Sequence, residues 1–225
     1  MNLLKNIKTI KMEKSIILIS GYAGSGKDKA ADYLVKHKNF VKLSFAEELK
    51  VIVAKKYNID HALTLSQIGK KTLDAGSGLT IRQLLIKEAL MLRSENPDIF
   101  AQQLLQKVKL YTNNVVISDF RYINEFEYLS KFLPVLKTLR IDRFSSSSVD
   151  SNSETELDNF KFDYKISNRT SISNLYDEIE KIYTILQAKR SDEVGLRSQA
   201  RSAKKNGVAS SQSEQKKLIF LILYH

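Results

Sequence analysis

The sequence has no cysteine, only two prolines and no long apolar run. Without cysteine, the 225 residues contain no disulfide and no thiolate metal site. The three histidines lie far apart in the chain and lack the spacing of a metal site. The longest apolar run, residues 218–223, is shorter than a bilayer span, and the N-terminus has no signal-peptide pattern. We therefore expect a soluble, cytoplasmic protein without a membrane partner.

The net charge of +11 invites a nucleic-acid interpretation, but most of it lies at the ends of the chain. Residues 1–14 contain four lysines and one glutamate, and residues 189–217 contain eight basic and three acidic residues. Basic tails are more often solvated than bound to a partner. Nucleic-acid binding through these tails is therefore an alternative that we do not expect.

The length of 225 residues and the apolar content of 43% fit one globular domain with a sizeable core. We expect a basic N-terminal extension over residues 1–14, a folded domain over residues 15–188 and a basic tail over residues 189–225. The tail is rich in serine, lysine, arginine and glutamine, which predicts disorder. The apolar run at residues 218–223 remains open as an added strand, an interaction segment or an artefact of the end of the gene.

A glycine-rich segment, Gly-Tyr-Ala-Gly-Ser-Gly-Lys-Asp at residues 21–28, follows an apolar run and opens a helical pattern. Strand, glycine-rich loop and helix in this order are typical of a phosphate-binding P-loop. The glycines let backbone N–H groups converge on a phosphate, the helix directs its positive end there, and Lys27 adds a charge. Asp28 and Lys29 stand where serine or threonine usually holds magnesium.

Strands and helices alternate along the rest of the chain. Apolar patterns predict strands at residues 40–45, 115–118, 135–141 and 164–167, and helices at residues 46–54, 81–92, 99–108, 125–132 and 172–186. The alternation predicts an α/β protein of the three-layer P-loop NTPase type, with a parallel sheet flanked by helices. A polar segment at about residues 143–160, with almost nothing to bury, is predicted to form a small lid.

Polar residues follow several predicted strands. Ser44 and Phe45 end one strand, and Asp119 and Arg121 follow another. Because ligands of parallel sheets bind beyond the carboxyl ends of the strands, these residues and the P-loop are predicted to share one site. Phosphoryl transfer needs positioning, metal and positive charge more than covalent help, which favours a small-molecule kinase. A lid flanked by arginines would exclude water from it.

Several motifs together resemble one family, the deoxynucleoside monophosphate kinases of bacteriophages and other large DNA viruses, an adenylate-kinase-like group. The resemblance covers about residues 15–188. Its most specific parts are the P-loop ending in Lys-Asp and the Asp-x-Arg-x-x-Asn-Glu stretch at residues 119–125. The other parts are Leu-Ser-Phe-Ala-Glu-Glu-Leu-Lys at residues 43–50, Thr-Ile-Arg at residues 80–82 and Ser-Glu at residues 153–154.

The resemblance implies an ATP- and Mg²⁺-dependent phosphotransferase that acts on a deoxynucleoside monophosphate. The oligomeric state stays open, with a homodimer as one alternative. Residues implied to bind ATP are Gly21, Ala23, Gly24, Ser25, Gly26, Lys27, Asp28, Lys29 and Arg140. Residues implied to bind the acceptor are Ser44, Phe45, Lys50, Arg82, Arg121 and Glu154. Catalytic roles are implied for Lys27, Asp119, Arg121 and Arg143, and magnesium would be held through water by Asp28 and Asp119. A carboxylate such as Asp119 also has a purely structural interpretation, capping the end of its strand.

The chain departs from the family pattern at Lys29, which replaces a hydroxyl residue, at Ile86, which replaces a glutamine, and at Asn152, which replaces a histidine. Two alternatives stay open. A kinase of the same architecture could act on another phosphorylated metabolite, such as phosphomevalonate or dephospho-coenzyme A. A nucleic-acid-associated P-loop ATPase would use the basic tails.

Overall fold

The computed structural model describes residues 14–143 and 155–205 and contains one parallel sheet covered by helices. Strands β1 to β5 comprise Ile16–Ser20, Phe40–Leu43, Asn114–Ile117, Leu136–Asp142 and Tyr164–Ser167. Helices α1 to α7 comprise Lys27–Lys38, Glu47–Lys56, His61–Leu65, Ile81–Glu95, Ile99–Leu110, Ile123–Ser130 and Ile172–Lys205, and Gly69–Lys71 forms a 3-10 helix. The predicted α/β architecture is confirmed.

The five strands run parallel in the order β2-β3-β1-β4-β5. β1 is central, and Ile16 lies opposite Val115 of β3 on one side and Leu136 of β4 on the other. Since all strands point the same way, their carboxyl ends meet at one edge of the sheet. The segments that follow the strands therefore share this edge.

Both faces of β1 are buried, which agrees with its run of four apolar residues before Ser20. Side chains alternate along a strand, so Ile16 and Leu18 belong to one face. They lie in a core cluster with residues of α2, α4, α5 and α6. α1 lies against β1 and β3 and contributes the buried residues Ala30, Ala31 and Leu34.

Helix α4 begins where the sequence predicts. The Thr80 side chain accepts a hydrogen bond from the backbone N–H of Gln83, whose side chain in turn accepts from the backbone N–H of Thr80. Such a capping box satisfies the donors at the start of a helix. The preceding residues 61–80, which lack a clear periodicity, contain α3 and the 3-10 helix and attach to α4 through a bond from Ile81 N–H to Thr72 O of 3.0 Å.

Three boundary predictions differ from the structure. Lys14, assigned to the basic extension, is buried and donates to the carbonyl oxygens of Val108 and Tyr111, so it belongs to the folded domain. Leu157, assigned to a lid with almost nothing to bury, lies in the core. The last helix continues to Lys205, where disorder was predicted from residue 189. Good helix formers without proline extend a helix even where no apolar stripe marks it.

Contacts divide the chain into a compact unit ending at Ile179 and a second unit beginning at Glu180. The first unit contains the whole sheet and the site described below, and the second contains the remainder of α7. Residues 1–13, 144–154 and 206–225 lie outside the described residues, and with them most of the basic extension, the centre of the predicted lid and the apolar run at residues 218–223. Among the residues described, no helix combines the length and apolar character of a membrane span.

Candidate active site

The P-loop joins β1 to α1 and depends on glycine at the start of the helix. Gly26 caps α1 with a φ of 102°, in the left-handed region that disfavours side chains. A Cβ atom there would lie 2.7 Å from Nδ2 of Asn168. That amide donates to the carbonyl oxygen of Ser25 over 2.8 Å, which ties the loop to the end of β5. The loop backbone is therefore held from the neighbouring edge of the sheet.

Two cations lie at carbonyl oxygens of the P-loop. Lys27 Nζ donates to the carbonyl oxygen of Tyr22 over 3.1 Å. Arg143 Nη1, from the residue that follows β4, is 3.4 Å from the carbonyl oxygen of Gly24. The structure thus brings together two of the residues to which the sequence assigns catalytic roles. Their positive charges suit a loop whose N–H groups receive phosphate.

Asp28 lies in the first turn of α1, beside the loop. Its Oδ1 accepts a hydrogen bond of 2.8 Å from the Ser118 hydroxyl and one of 3.1 Å from Lys42 Nζ. Partial desolvation raises the pKa of Asp28, but the bonds from Ser118 and Lys42 and the Lys27 charge outweigh it and lower that pKa overall. The carboxylate is 68% exposed. Asp28 is therefore ionised at neutral pH and open to the solvent side of the loop.

Asp119 follows β3 and is bound by the loop between β2 and α2. Oδ2 accepts from the Ser44 hydroxyl over 2.6 Å and from the backbone N–H of Ala46 over 3.1 Å, and Oδ1 accepts from the backbone N–H of Phe45 over 3.0 Å. Three donors thus occupy its two oxygens. The geometry favours the structural interpretation, in which Asp119 fastens the start of α2 to the end of β3.

Arg140 lies on β4 with a side chain only 7% exposed. Its guanidinium donates to Asp142 over 2.9 Å and to Asp158 over 3.0 Å, and it stacks on the Tyr22 ring at 4.7 Å. The Tyr22 hydroxyl donates to the second oxygen of Asp158 over 2.6 Å. The contact of Arg140 with ATP stays a prediction. Its described partners make it an internal brace between β4, the P-loop and residue 158.

A second group of cations is centred on Lys70. Lys70 of the 3-10 helix lies within electrostatic reach of Lys50 of α2, Arg82 of α4 and Arg121 after β3, and also of Asp28. Burial and then the charges of the other three lower the pKa of Lys70, and the Asp28 carboxylate opposes them. We call these four residues the cation cluster. Such a concentration of positive charge suits an anion with two or more charges.

Two members of the cation cluster have weak or neutral partners. Arg82 Nη2 donates to the amide oxygen of Gln67 over 2.7 Å. Lys50 Nζ is 3.9 Å from Glu47 Oε2, the outer limit of an ion pair. Neither contact neutralises its cation as a close carboxylate would.

Glu125 is a buried carboxyl directly behind Arg121. Its Oε2 accepts from the backbone N–H groups of Arg121 and Tyr122 over 3.0 and 3.2 Å, and Oε1 lies 3.4 Å from Arg93. Burial raises the pKa of Glu125 to about 8, with a further contribution from the Asp119 charge. The backbone N–H groups and Arg93 oppose this shift. Glu125 therefore supports the backbone that presents Arg121.

The remaining predicted site residues divide into three groups. Phe45 is 4% exposed and lies in the core, so its side chain does not line an open pocket. Ser25 is buried with its hydroxyl unpartnered, Gly21 follows β1 directly, and Ala23 and Lys29 are exposed. Glu154 lies outside the described residues.

Four residues of the site were not predicted from the sequence: Lys42, Lys70, Ser118 and Asn168. Ser118 ends one predicted strand and Asn168 follows another, so the strand-end argument was sufficient to find them. Lys42 and Lys70 carried no signal, because single lysines in a strand and in an irregular segment are usually solvated.

Comparisons with known proteins agree with this geometry. A protein of Acanthamoeba polyphaga mimivirus, provisionally named deoxynucleotide monophosphate kinase, is 30% identical over 182 residues, which cover 73% of this chain and 93% of that protein. No family model matches the chain.

Solved structures match the chain at lower identity. Dephospho-CoA kinase from Campylobacter jejuni has a TM-score of 0.44 at 12% identity, covering 77% of this chain and 98% of that one. APS kinase from Mycobacterium tuberculosis has a TM-score of 0.39 at 13% identity, covering 76% and 97%. Likeness at this level is informative about neither substrate nor mechanism.

A parallel sheet with a P-loop at its central strand and cations at the same edge defines the class as a P-loop nucleotide kinase, a phosphotransferase. Within that class, the chain belongs to the deoxynucleotide monophosphate kinase family.

Proposed function

We propose that the protein transfers the γ-phosphoryl group of ATP to a deoxynucleoside monophosphate, giving the diphosphate and ADP. The observation that carries the proposal is the arrangement of charge at one edge of the sheet. The Asp28 carboxylate lies within electrostatic reach both of Lys27 of the P-loop and of Lys70 of the cation cluster. Two separate anion-binding groups at one edge suit a donor and an acceptor phosphate that must meet in line.

On the donor side, the N–H groups of residues 21–28 would hold the ATP phosphates. Lys27 would leave the Tyr22 carbonyl for the β- and γ-phosphate oxygens. Arg143, near the Gly24 carbonyl, would stabilise charge on the transferring group, because a guanidinium matches phosphate oxygens with two donors. Neither role asks for a rearrangement of the sheet.

Magnesium fits this donor set through one carboxylate. The ion usually keeps several waters and binds proteins through one or two carboxylates together with substrate phosphates. Asp28 is ionised, exposed and beside the Ser118 hydroxyl, which suits that mode. Among the described residues, no cluster of three or more acidic or histidine side chains offers a protein-only metal site. When bound, magnesium would neutralise charge between the phosphates.

On the acceptor side, Arg82 and Arg121 would bind the monophosphate, with Lys50 completing the charge. Arg82 is exposed at the start of α4, and Gln67 orients it without neutralising it. Ser44 would act through Asp119, which it binds, by holding the start of α2 in place. The Phe45 side chain would support this pocket from the core.

An acceptor panel tests the proposal. ADP formation from MgATP is measured with each of the four deoxynucleoside monophosphates, their ribose counterparts, phosphomevalonate and dephospho-coenzyme A. We expect turnover with at least one deoxynucleotide and a several-fold lower rate with its ribose counterpart. Arg121→Ala should raise the acceptor KM about tenfold or more and leave the ATP KM nearly unchanged, since one charged hydrogen-bonding partner is lost.

The alternatives give different results in the same assay. Turnover with phosphomevalonate or dephospho-coenzyme A alone would assign the site to another metabolite. ATP hydrolysis that depends on added DNA and disappears in high salt would identify a nucleic-acid-associated ATPase. Either outcome would contradict the proposal.

A further inference from the structure

Lys70 belongs to a short segment that the motifs do not cover. It is the middle residue of the 3-10 helix Gly69–Lys71, in the irregular stretch between α3 and α4. Its neighbour Lys71 is exposed, whereas Lys70 is partly buried. Long charged side chains turn toward the protein only where something compensates their lost hydration. Among the described residues, no carboxylate forms a salt bridge with Lys70.

The backbone that carries Lys70 is firmly held. The Ser66 hydroxyl accepts from Gly69 N–H over 2.8 Å, and the Ser66 carbonyl accepts from Lys70 N–H over 3.1 Å. A Cβ atom at Gly69 would lie 2.4 Å from the Leu63 carbonyl oxygen, so this turn packs directly on α3. The position of Lys70 is therefore set by the fold and is not that of a mobile surface lysine.

The same segment is fastened to the start of α4. Gln67 accepts from Arg82 over 2.7 Å, Thr72 O accepts from Ile81 N–H over 3.0 Å, and Leu73 pairs with Thr80 in an antiparallel bridge. These contacts bring the 3-10 helix to the end of α4 that carries Arg82. The Lys70 ammonium lies within electrostatic reach of Lys50, Arg82 and Arg121, and also of Asp28 beside the P-loop.

We propose that Lys70 is a fourth ligand of the acceptor phosphate, beside Lys50, Arg82 and Arg121. This inference rests on the proposed function, because it assigns the cluster to the monophosphate of the acceptor. Four cations held near one another repel, and an incoming dianion relieves that repulsion. An unpaired, partly buried ammonium is then compensated only when the phosphate is bound.

Direct binding tests the role of Lys70 without requiring turnover. Equilibrium dialysis measures the affinity of the full-length protein for each of the four deoxynucleoside monophosphates and, by competition, for inorganic phosphate. The variant is Lys70→Met, and Lys71→Met is the matched control, since it removes the same charge from the neighbouring exposed position. Lys70→Arg keeps the charge. Thermal unfolding of all four proteins establishes that each is folded.

We expect Lys70→Met to weaken monophosphate binding about tenfold, the loss of one charged hydrogen bond. Lys71→Met should stay within about twofold of the wild type, and Lys70→Arg should recover part of the loss. In turnover, the acceptor KM should rise while the ATP KM stays unchanged.

Other results would overturn either the assignment of Lys70 or the proposed kinase reaction. Equal affinity in Lys70→Met and the wild type, or equal losses in Lys70→Met and Lys71→Met, would overturn the assignment. Absence of phosphate and monophosphate binding to the wild type would overturn it as well. If Lys70→Met binds monophosphate tenfold more weakly but the wild type turns over no acceptor, Lys70 is still a phosphate ligand and the proposed kinase reaction is contradicted.

Discussion

The two halves of the candidate site are built differently. The donor half, at the ends of β1, β4 and β5, is cross-linked by partnered groups: Asn168 holds the P-loop carbonyl, and Arg140 is braced by Asp142 and Asp158. In the acceptor half, on α2, the 3-10 helix and α4, Arg82 donates to a neutral amide and Lys50 lies 3.9 Å from a carboxylate oxygen. The donor half is preorganised, whereas these two cations of the acceptor half keep charge available for a ligand.

This difference suits the two ligands. A nucleoside triphosphate is recognised largely by backbone N–H groups, which must point inward before it arrives. A monophosphate offers only one anionic group, so side-chain charge must supply most of its binding. Substitutions in the two halves are therefore expected to separate catalysis, stability and acceptor affinity.

The largest expected effect comes from Lys27 in the donor half. Lys27→Met should lower kcat by at least about 100-fold with every acceptor, because one charge aimed at the transferring group is lost. Lys36→Met, nine residues further along α1 and exposed, should change kcat less than about threefold. Steady-state kinetics with the best acceptor check both. Near-normal turnover in Lys27→Met would show that the P-loop lysine does not take part in the reaction.

Arg140 and Arg143 should separate stability from activity within the same half. Arg140→Met strands two carboxylates around a buried position and should lower the unfolding free energy by about 2 kcal/mol, less than for fully buried pairs because Asp142 and Asp158 are partly exposed. Arg143→Met should leave stability within about 0.5 kcal/mol and reduce kcat. Denaturant unfolding and kinetics on both variants measure this.

The opposite result for Arg140→Met would contradict the structural role given to Arg140. If Arg140→Met keeps full stability and loses kcat, Arg140 contacts the nucleotide, as the family resemblance implies. The brace assigned to it here would then be wrong.

A smaller effect is expected from pH in the acceptor half. The pKa of Glu125 is about 8 in the folded protein, above the value of about 4.3 in an unfolded chain. The native state therefore holds the extra proton, and the resulting stabilisation, complete below pH 4.3, is lost as pH rises through 8. Between pH 6 and 7 the loss should be about 1 kcal/mol.

Glu125→Gln removes this titration and keeps an acceptor for the N–H groups of Arg121 and Tyr122. Its unfolding free energy should fall less steeply than that of the wild type over this pH range. Glu127→Gln, exposed on the same helix, should follow the wild type. Parallel curves for all three proteins would mean that Glu125 stays ionised in the fold.

The sequence predicted the donor half better than the acceptor half for a physical reason. A P-loop is local, so Gly26, Lys27 and the flanking strand and helix lie within one continuous pattern. Arg82 and Arg121 were found through motifs at element boundaries. Lys70 depends on contacts between residues 61–80 and α4 that no local pattern encodes.

The family resemblance gives site roles to Arg140 and Asp119, whereas their contacts in the structure favour structural roles. The resemblance assigned Arg140 to ATP binding. Its ion pair with Asp158, 18 positions away, and its stacking on Tyr22 could not be predicted from the sequence. Asp119 had two interpretations, and only the turn of the β2–α2 loop brings three donors to it. Long-range contacts favour the structural interpretation in both cases.

The most direct test of the account follows the phosphoryl group itself. ATP labelled in its γ-phosphate is incubated with magnesium, the full-length protein and a deoxynucleoside monophosphate, and the products are separated. We predict label in the deoxynucleoside diphosphate, little in inorganic phosphate, and none transferred by Lys27→Met. Label appearing only in inorganic phosphate, at a rate independent of the acceptor, would contradict a site built to join a donor and an acceptor.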